Sequence, residues 1–132
     1  MKLNKLWDGL KQIANGDYVL EGDLISDETI EIDLDDRLIV RGSVVSKKAI
    51  IVRCGIEAGE GIKAGEGIKA GWGIEAGWGI KAGSFIHAEK RIFAGVSVYH
   101  TSQNCKKTIR CAELRKGEIC YGDLIIKTPE VA

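Results

Sequence analysis

Two histidines and four cysteines are the residues of this chain that could do chemistry: His87, His100, Cys54, Cys105, Cys111 and Cys120. A catalytic histidine needs a group that orients it and sets its charge, most often a carboxylate. Neither histidine has an obvious partner carboxylate in the sequence. A structural zinc site needs closely spaced thiolates, and no two cysteines have the CxxC spacing. His100, Cys105, Cys111 and Cys120 could converge on a metal, but their spacing is generic. The many G-x-G matches belong to a repeat and carry no information about phosphate binding. The expectation is therefore no catalytic residue, no metal and no cofactor. With no secretory signal at the N-terminus, the thiols are expected to be reduced.

The positions of all these groups are set by a six-residue repeat. Residues 55–84 read GIEAGE GIKAGE GIKAGW GIEAGW GIKAGS. Isoleucine takes the first position of each hexad, alanine the third, and glycine the fourth and sixth. Apolar residues two apart, with a charged residue between them, give strand periodicity. A helix would place several glycines in its interior, at about 1 kcal/mol each. Each hexad thus predicts a short strand and a corner, the corner being glycine-rich because glycine takes positive φ freely. The same clock runs through Ile32, Leu38, Val44 and Ile50, then Ile56, Ile62, Ile68, Ile74, Ile80, Ile86, Ile92 and Val98, and fails at His100. A lone hexad cannot bury its apolar face, whereas stacked coils can. Three hexads per turn give an all-β, single-domain, triangular parallel β-helix of about 18 residues per coil. Residues 32–98 then supply a little under four coils around a narrow, dry lumen.

The flanks read as closures. Leu3, Leu6, Trp7, Leu10 and Ile13 form one stripe, which predicts an amphipathic helix over residues 2–14, with Gly16 as its C-cap. Its simplest role is a lid over one end of the β-helix, because bare strand edges aggregate. Residues 99–132 read as a polar loop followed by closing strands around residues 118–127.

Candidate contact residues follow from what the core leaves outside. Second positions point outward, and Ile39, Val45 and Ile51 are apolar there. Something should cover them: the N-terminal helix, the C-terminal segment or a second subunit. They are the candidate self-association residues. Stacking by 18 places Glu57 beside Glu75, Lys63 beside Lys81, and Lys69 beside His87, and like charges one strand apart repel. Fifth positions are corners and include Glu60, Glu66, Trp72 and Trp78. The core needs no tryptophan there, and Trp is enriched at interface hot spots. Trp72, Trp78, Glu60 and Glu66, with the lysine ridge Lys63 and Lys81, are the candidate partner-binding residues. Trp72 and Trp78 fall on adjacent corners, so a partner touching both is expected to wrap an edge.

The composition narrows the function classes. A formal net charge of zero argues against a broad nucleic-acid-binding surface. No signal peptide and no 18-residue apolar stretch is evident, which predicts a cytoplasmic protein with no membrane partner. Outward threonine ranks of ice-binding helices and turn aspartates of calcium-binding β-rolls are missing.

The stretch EGDLISDETIEIDLDDRLIVRGSVVSKKAIIV, residues 21–52, resembles the loose G-x-[IV]-x-[AG] coils of bactofilins, which are polymer-forming bacterial scaffolds. That resemblance spans about residues 20–98 and favours right-handed winding. It implies self-assembly, as a homodimer or polymer. The repeat is also similar to the left-handed hexapeptide helices of acyltransferases, with the small residue two after the aliphatic one instead of two before. That second likeness would imply a histidine general base. In size and in its lack of a catalytic constellation, the chain is similar to phage and mobile-element inhibitors of bacterial defence such as anti-CRISPR proteins. This likeness implies a non-enzymatic module that blocks a larger protein partner, a nuclease or nucleoprotein complex. The inhibitor ranks first, the scaffold second and the acyltransferase third.

Overall fold

The computed structural model describes residues 2–4, 7, 9–94 and 108–126. It is an all-β parallel solenoid of about five turns, each of about 18 residues. Lys2–Asn4 (β1) and Leu10–Gln12 (β2) precede the coils. Coil 1 contains Tyr18–Leu20 (β3), Leu24–Ser26 (β4) and Ile30–Asp33 (β5). Coil 2 contains Leu38–Val40 (β6), Val44–Ser46 (β7) and Ile50–Val52 (β8). Coil 3 contains Ile56–Ala58 (β9), Ile62–Ala64 (β10) and Ile68–Ala70 (β11). Ile74–Ala76 (β12), Ile80–Ala82 (β13) and the start of Phe85–Ala94 (β14) make coil 4. The end of β14, Thr108–Cys111 (β15), Glu113–Tyr121 (β16) and Asp123–Ile126 (β17) complete the stack.

Equivalent strands pair in parallel and define three faces. Face 1 stacks β3, β6, β9, β12 and the end of β14. Face 2 stacks β4, β7, β10, β13, β15 and β17. Face 3 stacks β5, β8, β11 and the start of β14. β14 turns through one corner without breaking, so it belongs to faces 3 and 1 and joins them into one 11-stranded sheet.

The core is what the hexad pattern demands. Ile50, Ile68 and Ile86 lie in register on face 3, each fully buried. Ala70 and Ala88 follow in the same way, at 0% exposure. A fully buried isoleucine contributes about 1.5–3 kcal/mol, and each column repeats that gain at every coil. Alanine at the third position lets opposing faces approach until the lumen closes.

The hexad glycines serve close stacking, and this corrects the expectation of positive φ. The glycines with positive φ are Gly9, Gly16, Gly22, Gly117 and Gly122, all outside the regular hexads. A Cβ on Gly71 would instead lie 2.0 Å from the Arg53 carbonyl oxygen one coil below. Its amide donates to the Val52 carbonyl at 3.0 Å, so corner backbone rests directly on corner backbone.

Three further expectations change. The N-terminal helix over residues 2–14 is replaced by strands. β1 extends face 3 in parallel, with Leu3 over Ile32 and fully buried. Gly9 takes φ 85°, and β2 then turns back antiparallel onto β3. Leu3, Trp7 and Leu10 do seal this end, since Trp7 and Leu10 pack against the core, while Ile13 is 42% exposed. A 13-residue helix is marginal in water by itself, whereas two unpaired sheet edges offer ready backbone partners.

Second, coil 1 is two residues longer than the rest. Tyr18, Leu24 and Ile30 pair with Leu38, Val44 and Ile50, each 20 positions on. Ile32 is therefore a third position, beside Val52, and not a first. The extra residues sit in the corner before Leu38, where Leu34 fills the inside at 2% exposure.

Third, the C-terminal segment adds coils instead of forming a strand pair. Ile109 stacks on Ile80, Leu114 on Ile86 and Ile119 on Ile92, and β17 lies on β15. Its described residues do not fold back over Ile39, Val45 and Ile51. Leu6, Val98, His100 and Cys105 lie outside the described residues.

The 20-residue first coil also sets a ladder of charges. Arg37 meets Asp17 at 2.8 Å, Arg41 meets Glu21 at 3.8 Å, and Lys47 meets Asp27 at 3.3 Å. Lys48 meets Glu28 at 2.8 Å and Arg53 meets Asp33 at 3.4 Å. Every pair spans 20 positions, so an acidic coil lies beside a basic one. Most are exposed and worth 0.2–1 kcal/mol by the usual measure, roughly. Asp17 differs, being 6% exposed.

Candidate functional site

Corners present their fifth residues outward and stack them one above another. The Trp72 amide donates to the Cys54 carbonyl at 2.9 Å, and the Trp78 amide to the Glu60 carbonyl at 3.0 Å. Trp72 is 54% exposed and Trp78 is 39% exposed. Residues 71–73 form the corner entering β12 and residues 77–79 the corner leaving it, so the two tryptophans bracket one face.

Between them runs the outward column of face 1: Val19, Ile39, Glu57, Glu75 and Phe93, in register. Val19 is buried and Ile39, Glu57, Glu75 and Phe93 are half-buried. Burial pushes the Glu75 carboxyl above its ordinary value, and the neighbouring Glu57 charge adds to this. Arg37, in the corner before β6, flanks the column, with Nη1 3.8 Å from Glu57 and Nη2 2.8 Å from Asp17. Burial works against the Arg37 charge, but the hydrogen bond to Asp17 and the field of Glu57 outweigh it, and the guanidinium pKa is raised. The sequence reading singled out the tryptophans and missed Glu57 and Glu75 as their neighbours. The signal was present: Glu75 stands midway between Trp72 and Trp78 in GWGIEAGWG.

The other candidates distribute differently. Lys63 and Lys81 are exposed on face 2, in register one strand apart. Glu60 stands on the corner shared by faces 1 and 2, where the Ser43 hydroxyl donates to it at 3.2 Å. Glu66 is exposed on the corner between faces 2 and 3. The structure thus groups Glu60, Trp78, Lys63, Lys81 and Glu66 around face 2 and leaves Trp72 on the far corner of face 1. Ile39, Val45 and Ile51, the candidate self-association residues, do not share one face. They lie on faces 1, 2 and 3 respectively, ringing coil 2, because consecutive hexads turn the chain to a new face.

The chemical groups remain scattered. His87 does have a carboxylate partner, Glu89, with Nε2 to Oε1 at 2.7 Å. Lys116 of the next coil donates to the other Glu89 oxygen. The hydrogen bonds from His87 and then Lys116 hold the Glu89 carboxyl at about 2. Glu89 stays ionised at neutral pH and ties coil 4 to coil 5. Cys111 points into the core at 1% exposure, while Cys120 is exposed. Burial pushes the thiols of Cys111 and Cys54 up. Among the described residues no three His, Cys, Asp or Glu side chains gather as a metal site. Among the described residues no helix is long and apolar enough to cross a membrane. No family model, no curated protein and no solved structure matches the chain.

Proposed function

We propose that this protein is a non-enzymatic binding module that lays face 1 against a basic surface of a larger protein and blocks it. The observation that carries this reading is the pair of exposed tryptophans on the two corners of the strand that carries Glu75, with Glu57 beside it on the same face. Aromatic anchors around a partly desolvated charged centre are the composition of interface hot spots. The stacked backbone holds all four side chains in place before binding, so little ordering entropy is lost on contact. Paired carboxylates suit a surface evolved to hold phosphates, which fits a nuclease or nucleoprotein complex of a bacterial defence system. That last step rests on the likeness to anti-defence proteins in size and chemical emptiness.

The test is DNA cleavage by a panel of purified CRISPR effector complexes, with and without the protein. Inhibition of one of them, weakened about 30-fold or more when Trp72 and Trp78 are both replaced by Ala, supports the reading. No inhibition across the panel, or inhibition indifferent to both tryptophans and to Glu57→Gln with Glu75→Gln, overturns it.

A second reading, a self-assembling scaffold, draws on β4 and β17, which are the edge strands of the six-stranded sheet among the described residues. Ile25 on β4 is 59% exposed. This reading ranks second because β1 and β2 rise one strand beyond β4 on the other two faces. β4 therefore lies recessed, which hinders head-to-tail stacking.

A further inference from the structure

Faces 1 and 2 carry outward columns of opposite charge. On face 1, Glu57 and Glu75 lie in register one strand apart. On face 2, Lys63, Lys81 and Arg110 do the same. Like charges one strand apart repel, so both columns cost the free molecule stability. Arg37, Arg41, Lys47, Lys48 and Arg53 of coil 2 each find an acid on coil 1. Lys63, Lys81 and Arg110 form no ion pair among the described residues. The acidic and basic columns share one spacing, the rise of about 4.8 Å between paired strands. Carboxylates on alternate residues of an extended peptide would repeat at about 6.6 Å and fall out of step. Face 1 of another copy keeps step with face 2.

The match extends beyond the charges. Ile39 and Val45 both stand on coil 2, and Glu57 and Lys63 on coil 3. Glu75 and Lys81 stand on coil 4, and Phe93 and Arg110 on coil 5. Two copies with parallel axes and level coils therefore set apolar on apolar, acid on base twice, and a guanidinium on an aromatic ring. The molecule makes that last kind of contact within itself, with Arg115 Cζ 3.9 Å from the centre of the Phe85 ring. Reversed axes would keep the acid–base pairs but lay Arg110 on Ile39, which has no π face to offer. Lys63 and Lys81 are exposed and the other members of these pairs are half-buried, so all of them reach the surface.

We propose that face 1 of one copy packs side by side on face 2 of a second copy, axes parallel, with Glu57 opposite Lys63 and Glu75 opposite Lys81. The contact is heterologous, so it leaves face 2 of one copy and face 1 of the other open, and assembly passes beyond two copies until a ring closes. Packing by the sides needs neither end of the stack. The inference goes beyond face 1 as a surface for a larger protein, and the two occupants compete for Glu57 and Glu75.

The experiment is light scattering of the full chain over a hundred-fold dilution at low salt, with thermal melts to verify folding. The wild type should rise past a dimer as concentration grows. Glu57→Lys with Glu75→Lys, and separately Lys63→Glu with Lys81→Glu, should each weaken association about tenfold or more, since each sets like charges opposite one another. An equimolar mixture of the two double variants should restore assembly, with both chains in one particle by native mass spectrometry. Should a reversal unfold the chain, Glu57→Gln with Glu75→Gln keeps the side-chain shape and should still weaken association. The register has its own readout. Ile39→Cys mixed with Val45→Cys should couple through a short bis-maleimide about tenfold faster than Ile39→Cys mixed with Arg110→Cys, because three coils, about 14 Å, separate the two face 2 positions. A wild type that stays monomeric or stops at a dimer, a folded variant mixture that stays monomeric, or faster coupling of the second cysteine pair would each overturn the proposal. No partner protein enters these measurements, so their outcome is separate from that of the inhibition assay.

Discussion

Gly71 and Gly61 occupy the two glycine positions of the hexad, yet they do different work. A Cβ at Gly71 would press on the Arg53 carbonyl oxygen at 2.0 Å, whereas at Gly61 the nearest atom is 3.5 Å away. Gly71→Ala must therefore spread two corners, and it should destabilise the protein by about 1–3 kcal/mol. Gly61→Ala should be neutral or slightly stabilising, by up to about 1 kcal/mol, because it restricts the unfolded chain. Paired urea titrations check the contrast, and equal effects would remove the stacking explanation. The sequence showed that both glycines belonged to corners but not why, since a contact 18 residues away leaves no local mark. Glu75 offers a second test at this scale. Its folded pKa lies above the ordinary 4.5. Such a group favours folding below that value and loses the contribution as pH rises through the folded pKa. Glu75→Gln should thus stabilise the protein at pH 7 by about 0.5 kcal/mol and flatten its stability profile above pH 4.5. A destabilised Glu75→Gln would contradict the sign.

Coils 1 and 2 depend on a different kind of contact from the later ones. The later coils are joined by identical hexads, and their strands, columns and register were legible because every strand repeats its neighbour. Coil 1 was misread by two residues: Ile32 kept the six-residue clock while the corner around Leu34 absorbed an insertion. The same insertion hid the ion pairs, which stand 20 positions apart where a search by 18 finds nothing. The helix over residues 2–14 was misread because its apolar spacing suits a helix, while open sheet edges offered pairing that local periodicity does not record. Among the ladder pairs, Asp17 with Arg37 should dominate. Asp17 is buried, and although burial alone would raise its pKa, the Arg37 hydrogen bond and charge bring it below the ordinary 3.8. A lowered carboxyl contributes stability above that value and loses it as pH falls through the folded pKa. Acid unfolding should therefore acquire a component below about pH 3.8 that Asp17→Asn lacks. Arg37→Ala leaves a buried carboxylate unpaired and should cost about 1–3 kcal/mol at pH 7. Lys47→Ala removes an exposed pair and should cost less than about 0.5 kcal/mol.

As a whole, the molecule is close to one-dimensional, since each coil touches only the coils beside it and the stack is as strong as its continuity. The consequence is that position along the axis should govern the outcome of a core substitution more than residue type. Ile68 lies in coil 3, between Ile50 and Ile86, and is fully buried. Ile119 lies in the last layer and packs against the core while half-buried. Aspartate at Ile68 puts an unpaired charge into a dry lumen and divides the stack into two pieces of about two coils each. Neither piece retains enough neighbours to stand alone, so Ile68→Asp should abolish the cooperative melt. Aspartate at Ile119 can reach water once the terminal layer frays, so Ile119→Asp should fold and melt cooperatively. Its denaturant m-value should fall in proportion to the surface already released. Hydrogen exchange would then report lost protection in β16 and β17, with β9 to β13 unchanged. If Ile119→Asp unfolded the whole chain as thoroughly as Ile68→Asp, the coils would be coupled beyond their neighbours. A native melt for Ile68→Asp would instead be incompatible with the stacked core itself.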